Sequence, residues 1–172
     1  MFKIGSMVVH PLHGAGIIEL IEEKKVLNQA RKYYVIKISG SNMRVMVPIN
    51  SVEKVGLRII IDEEEVDKVL EVLKGDNDEN ITDWKMRYSI NLDKIKSGSI
   101  YKVAEVARTL SIRSKERGLS SGEKRLFDNA CQLIVSELAF AKNMKVEEVS
   151  FMVNGILERK KQEGDDKIEF KH

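Results

Sequence analysis

The chain has 172 residues, of which 42% are hydrophobic and 33% charged, and its formal net charge is +2. This composition is that of a soluble protein with one domain or two small ones. No uncharged apolar run reaches the roughly 18 residues of a membrane span, and the N-terminus lacks a signal-peptide pattern. Because the lone cysteine, Cys131, cannot form an internal disulfide, the sequence predicts a cytoplasmic protein.

The first 60 residues have the pattern of short β-strands. Turn signals at Pro11–Gly14 and Ser39–Asn42 separate segments that are rich in Val, Ile and Tyr. These segments span residues 6–10, 15–23, 32–39 and 43–49. Four or five such strands predict a small, strongly bent sheet or partial barrel, and we assign residues 1–60 to this module.

The last predicted strand contains the sequence RVMVP at residues 44–48. Side chains alternate along a strand, so Val45 and Val47 face one side. The opposite side carries Arg44, Met46 and Pro48. Proline has no N–H to donate to a ladder, which predicts that the strand ends or lies at a sheet edge. Such an exposed edge is a natural place for a partner protein to add.

From residue 62 the apolar period changes from 2 to 3.6, which predicts a helical domain at residues 61–161. Five helices are expected at about residues 62–74, 82–96, between Ser99 and Gly118, 120–141 and 146–161. The third should bury Val103, Val106, Ala107 and Leu110. A polar break at residues 75–80 follows the first helix, and residues 162–172 form a polar tail that we expect to fray.

Capping signals support these helix starts. Thr82 or Asp83 can cap the second helix, and Ser120 and Glu123 have capping-box spacing at the start of the fourth. Acids at residues 62–65 occupy the first turn of the first helix, where the helix dipole favours them.

Few residues have the pattern of a catalytic or metal site. His10 and His13 are spaced as metal ligands can be, but they lie in a turn with no acid or cysteine at ligand spacing. Cys131 falls in an apolar helix without an adjacent histidine, which favours a buried, inert thiol. The segment HGAG at residues 13–16 is too short for a phosphate-binding loop. We therefore predict that the protein is not an enzyme and takes no metal, cofactor or small-molecule substrate.

Charge is distributed unevenly along the chain. Residues 61–83 carry ten acids and two lysines, whereas residues 84–125 carry eleven bases and four acids. The basic block favours a local, salt-sensitive attraction to a polyanion. Solvated helix faces explain the same block, so composition leaves both interpretations open.

Trp84, the only tryptophan, stands at the predicted start of the second helix. Arg87 and Tyr88 follow at helical spacing and are predicted to share its face, and the helix-start amides can meet a phosphate. Lys124 and Arg125 occupy the first turn of the fourth helix, where the dipole disfavours cations. An aromatic beside cations can press on an exposed base or wedge a base step. A lone tryptophan on a helix is also commonly part of a core, so Trp84 stays open between the two roles.

These segments, in this order, resemble the CarD/CdnL family of bacterial transcription regulators along nearly the whole chain, to about residue 160. FKIGSMVVHPLHGAGIIE at residues 2–19 is similar to the family's opening. MRVMVPINSVEKVGLR at residues 43–58 is similar to its polymerase-binding strand and turn. DWKMRY, KVAEVARTL and RSKERGLSSGEKRLFDNACQLIVSELA resemble its helical half.

The resemblance implies an α+β fold with an N-terminal Tudor-like module, shared with transcription-repair coupling factors, that docks on the β subunit of RNA polymerase. It also implies an all-α C-terminal domain that contacts promoter DNA at the upstream edge of the bubble. There a tryptophan wedges into the minor groove and stabilises the open complex, largely independently of sequence. The implied DNA-binding residues are Trp84 as the wedge, with Lys85, Arg87, Lys124 and Arg125 at phosphates. The implied polymerase-binding residues are Arg44, Met46, Pro48 and, in the preceding hairpin, Lys24.

Position 46 varies within this family, some members having arginine there and others methionine. Met46 places the chain with the second kind, which implies a more apolar and less salt-sensitive polymerase contact. Three alternatives stay open. The protein could bind polymerase without direct DNA contact, it could bind an acidic protein surface with Trp84 in its core, or His10 and His13 could serve a metal-dependent hydrolase.

Overall fold

A computed structural model of the chain describes residues 1–76 and 81–169, with side chains up to residue 159. Most of the predicted polar break at residues 75–80, and the end of the predicted tail at 170–172, lie outside the described residues. The described chain forms an antiparallel sheet followed by a set of helices. This arrangement confirms the predicted α+β class with a β-rich N-terminal module and a helical C-terminal domain.

The sheet has five strands. They are β1 (Met7–His10), β2 (Gly14–Val26), β3 (Gln29–Ile38), β4 (Arg44–Pro48) and β5 (Arg58–Ile59). Their order is β4-β3-β2-β1-β5, and every neighbouring pair is antiparallel. The core on one face of the sheet contains the fully buried Ile18, Tyr34 and Ile36. Val47 is buried in that core and Val45 packs against it, which confirms the alternation predicted for β4.

The hairpin between β2 and β3 is longer than the predicted strands at 15–23 and 32–39. It continues to a tight turn at Leu27 and Asn28, whose φ angles are 51° and 62°. Two consecutive positive φ angles are typical of a hairpin turn that usually carries Asn-Gly or Asp-Gly. The turn was not predicted because its first position holds leucine instead of one of those residues.

The described residues form six α-helices, five of which the capping and apolar patterns predict. They are α1 (Val52–Val55), α2 (Glu63–Lys74), α3 (Trp84–Lys96), α4 (Ile100–Glu116), α5 (Ser121–Lys142) and α6 (Val146–Glu169). Asp83 caps α3, and Ser120 and Glu123 form both bonds of the predicted capping box at α5. The predicted apolar face of α4 is buried at Val103, Val106, Ala107 and Leu110.

Three details of the secondary structure differ from the prediction. The short α1 and the short strand β5 were missed because each is too brief to show a period. Helix α6 continues to Glu169, so its predicted end near Lys161 is wrong. Its C-terminal segment, residues 160–169, contains three lysines and two glutamates, which have good helix propensity, and no proline.

Candidate nucleic-acid interface and protein-docking edge

Trp84 is the first residue of α3 and lies at the surface, with 61% of its area exposed. The ammonium of the exposed Lys85 lies 5.7 Å from the centre of the Trp84 ring, within the range of a cation–π contact. A core role for Trp84 is therefore excluded. Its exposure follows from its position, because a helical side chain covers the turn that precedes it and no turn precedes the first residue.

Arg87 is buried, so the structure does not place it for the predicted phosphate contact. It is 5% exposed, and its Nε donates to Glu123 Oε1 over 2.6 Å. Its Nη1 donates to the carbonyl of Ile81 over 3.0 Å. The predicted common face of Trp84, Arg87 and Tyr88 therefore does not form. Arg87 points inward and ties the segment before Trp84 to the start of α5.

Two amides at the start of α3 are already occupied. The Asp83 carboxylate accepts hydrogen bonds from Lys85 N over 2.8 Å and from Met86 N over 3.0 Å. The prediction that these amides meet a phosphate is thus wrong for this pair, because the capping aspartate already fills the anion position. The side chain of Lys85, by contrast, is exposed at this end of α3.

The starts of α3 and α5 lie against each other. A Cβ placed on Gly122 would lie 3.2 Å from Tyr88 Cε2, which shows how closely the first turn of α5 approaches α3. Glu123 in that turn is paired with Arg87. The next two residues, Lys124 and Arg125, are exposed, and neither forms an ion pair within the described part of the chain.

Glu123 is a buried carboxylate held by several donors. Burial alone would raise its pKa, but hydrogen bonds from Arg87 and from the Ser120 amide, together with the Arg87 charge, hold the pKa below its usual value. Arg113 Nε lies 3.7 Å from the same carboxylate. The sequence signal for Glu123 was the capping box, which does not reveal that its carboxylate also receives a buried arginine from another helix.

The β4 edge presents the three residues predicted to face one side. Within the described residues β4 pairs only with β3, so its other backbone edge is open. Arg44 Nε donates to Glu19 Oε2 over 2.7 Å, and this hydrogen bond lowers the pKa of Glu19. Met46 and Pro48 are half-buried on the same side of the strand.

Met46 sits in a mixed apolar and basic surface. It lies opposite Val35 in β3, which in turn lies opposite the exposed Leu20 in β2. The ammonium of Lys24 lies 3.4 Å from Met46 Sδ and 3.7 Å from a Glu22 carboxylate oxygen. The structure therefore brings Lys24, predicted from a different strand, next to Met46.

The histidines and the cysteine that were weighed as metal ligands or a nucleophile lie in surroundings typical of structural residues. His10 is buried, its Nδ1 accepts a hydrogen bond from Leu12 N over 3.2 Å, and burial and the neighbouring His13 lower its pKa. No group of three or more His, Cys, Asp or Glu in the described residues is placed to hold a metal ion. Burial, with a smaller effect of Asp128, raises the pKa of the Cys131 thiol to about 11. No helix in the described part of the chain is long and apolar enough to cross a membrane.

Comparison with known proteins matches both halves of the chain in order. Residues 2–61 match the profile of the CarD-like/TRCF RID domain, and residues 68–154 match the profile of the CarD C-terminal domain. These two domains define a two-module protein associated with transcription. The chain belongs to the CarD family.

A relative in Bacillus subtilis (strain 168) matches this chain over nearly the whole of the relative's length. That protein carries the name "Putative transcription factor YdeB" and is 40% identical over 149 residues. The matched region covers 87% of this chain and 97% of the relative.

Proposed function

We propose that the protein regulates transcription by binding RNA polymerase and promoter DNA at the same time, and that it stabilises the open promoter complex. The observation that carries the proposal is the exposed tryptophan at the start of α3, beside Lys85 and close to the basic first turn of α5. A free protein gains nothing from an exposed tryptophan, whereas a ligand that covers it gains a large apolar contact.

The polymerase contact is assigned to the β4 edge. An open strand edge can accept a strand of a partner, with main-chain bonds supplying affinity and alternate side chains supplying specificity. Arg44, Met46 and Pro48 are the alternate side chains here, and Lys24 reaches the same surface. Because Arg44 is already paired with Glu19, the apolar Met46 carries most of the expected contact. The RNA polymerase β subunit is the proposed partner.

The DNA contact is assigned to the α3 and α5 starts. Trp84 enters the minor groove at the upstream edge of the bubble, where the step is already unstacked and a wedge costs less than in intact duplex. Lys85, Lys124 and Arg125 contact the flanking phosphates. The contact is independent of sequence, because backbone charge and a wedge do not read base edges.

Tethering links the two contacts. A module held on polymerase raises the effective concentration of the helical domain at the promoter, so two weak contacts combine. Preference for melted DNA then shifts the opening equilibrium. A coupling of about 1–3 kcal/mol changes the lifetime of the open complex by roughly 5- to 150-fold.

The test is the lifetime of open promoter complexes with polymerase and either Trp84→Ala or Met86→Ala. Met86 is a matched control, because it is 60% exposed and lies two residues from the 61% exposed Trp84. We expect Trp84→Ala to bind polymerase normally but to lose most of the stabilisation, since stacking of an aromatic on a base is worth about 1–3 kcal/mol. Full activity of Trp84→Ala, or an equal loss with Met86→Ala, would show that Trp84 is not the wedge.

A second candidate is a polymerase-binding module without direct DNA contact. The inward position of Arg87 and the negative Asp83 at the start of α3 favour it, because both reduce the positive charge beside Trp84. Lys124→Glu separates the two. A shorter lifetime and a weaker salt dependence of promoter complexes support DNA contact, whereas wild-type behaviour supports the second candidate.

A further inference from the structure

The β-sheet module is joined to the helical domain by an ion pair whose carboxylate is buried and whose guanidinium is partly exposed. Glu137, in the middle of α5, is 1% exposed. Arg58 of β5 donates to both of its carboxylate oxygens, from Nη1 to Oε1 over 2.6 Å and from Nη2 to Oε2 over 2.8 Å. The Ile61 amide donates to Oε1 over 3.0 Å. The Nε of Arg58 donates to the carbonyl of Gly98, in the turn between α3 and α4, over 2.9 Å.

Two smaller contacts stand beside this pair. The Ala15 amide in β2 donates to Ser136 Oγ in α5 over 3.2 Å. A Cβ placed on Gly98 would lie 4.0 Å from Pro11 Cβ, so the turn after β1 packs against the turn after α3. The Glu137 pair and these two contacts belong to the contact between the β module and the helical domain, which we call the interdomain contact.

The pair is better suited to fixing an orientation than to adding stability. Removing two charges from water is costly, and a buried ion pair can often be replaced by apolar residues without loss of stability. A bidentate arginine–carboxylate pair, however, is planar and directional. Here the same arginine also holds the turn at Gly98, so one side chain sets the angle between β5, α5 and the end of α3.

We propose that Glu137 and Arg58 are positioning residues that fix the helical domain relative to the β4 edge. This inference rests on the proposed function, in which the β4 edge is held on polymerase and Trp84 meets the promoter. Tethering raises effective concentration only when the geometry allows both contacts at once. A wider spread of orientations would therefore lower the fraction of docked molecules whose Trp84 reaches the DNA.

The first measurement is the distance distribution between spin labels on the free protein. Cysteines replace the exposed Lys54 in the β module and the exposed Asn154 in α6, with Cys131→Ser removing the native thiol. We expect Glu137→Gln to widen the distribution and Arg58→Lys to widen it less. Glu71→Gln is the control, because it removes one partner of an exposed ion pair with Lys74, and it should leave the width unchanged.

The second measurement is function with the same variants. We expect Glu137→Gln to bind polymerase alone within about twofold of wild type, since β4 is untouched, yet to lose at least threefold in open-complex lifetime. If Glu137→Gln does not fold, Arg58→Lys is compared in its place. A wild-type lifetime together with a widened distribution overturns the proposal, as does a shortened lifetime with an unchanged distribution.

A covalent rescue distinguishes positioning from general destabilisation. Pro11→Cys and Gly98→Cys introduce two cysteines whose Cβ atoms lie about 4.0 Å apart, a separation that suits a disulfide. They are combined with Glu137→Gln and Cys131→Ser, and oxidised glutathione forms the bond by accepting the two electrons of the thiols. The strain of a side chain at Gly98, whose φ is 75°, is the same in both redox states. We expect the oxidised form to recover the lifetime and the reduced form to lose it.

The two proposals fail differently. If Trp84→Ala shortens the lifetime and Glu137→Gln does not, the proposed function stands and the positioning role is wrong. If Trp84→Ala has no effect, the wedge role in the proposed function is wrong, and the label distances alone then report on the interdomain contact.

Discussion

Replacing Arg87 by methionine tests whether the buried pair with Glu123 holds the candidate DNA interface together. The substitution keeps much of the apolar volume but leaves Glu123 buried with fewer donors. Breaking a buried pair by removing one partner costs about 3–5 kcal/mol. Because Glu123 keeps the Ser120 amide and a neighbouring Arg113 at 3.7 Å, we expect the low end, about 3 kcal/mol.

The assay is urea unfolding followed by far-UV circular dichroism, since Trp84 is exposed in the folded protein and reports poorly on the core. The double variant Arg87→Met/Glu123→Gln is the control. The double variant removes both charges. Its loss of unfolding free energy should therefore be smaller than the summed losses of the two single variants, with a coupling of about 0.5–3 kcal/mol. A cost below about 1 kcal/mol for Arg87→Met, or simple additivity, would refute the role assigned to this pair.

The pH dependence gives an independent check of the same pair. The pKa of Glu123 is lowered in the folded protein, so its contribution to stability is present above the ordinary glutamate pKa of about 4.3 and is lost as pH falls through the lowered value. In Arg87→Met, the arginine no longer offsets the effect of burial, which raises the pKa of Glu123. The free energy of unfolding should therefore fall less steeply in acid than that of wild type, and the two curves should converge.

Two further predictions concern the β module. Met46→Asp should weaken binding to polymerase at least tenfold, measured by pull-down or interferometry. Met43→Asp is the control and should not weaken binding, because Met43 is exposed just before β4. Equal effects of the two changes would show that the added charge and not the β4 face is responsible. The change of Leu27 and Asn28 to Asn-Gly should stabilise the protein by about 1 kcal/mol in urea unfolding, because leucine at φ 51° is strained. An unchanged or lower midpoint would mean that the turn conformation of Leu27 is not strained.

Periodic patterns predicted most of the fold. The capping box at Ser120 and Glu123, the cap at Asp83 and the alternation around Val47 are local, so a short window of sequence contains the whole signal. The same reasoning missed the turn at Leu27 and Asn28, which uses residues that rarely adopt its backbone angles.

The candidate site was predicted less completely, because burial of a charge depends on distant residues. Arg87 lies one helical turn from Trp84, and helical spacing alone placed both on one face. The structure instead pairs Arg87 with Glu123, far along the chain, and turns it inward. No sequence window contains both partners, so the pair could not be inferred from periodicity. The exposure of Trp84 likewise depended on its being the first residue of α3, a boundary that sequence leaves uncertain by a residue or two.

The inward arginine changes how the basic block should work. With Arg87 buried and Asp83 occupying two helix-start amides, the positive charge near Trp84 comes from Lys85, Lys124 and Arg125. Lys124 and Arg125 lie at the positive end of α5, where their charge costs energy in the free protein, and phosphates that reach them relieve that cost. The buried pair holds the start of α3 against the start of α5, so in the proposed function the wedge and the phosphate contacts belong to one surface. On the proposed function, affinity for melted DNA should therefore depend on the packing of α3 against α5 as much as on the exposed side chains themselves.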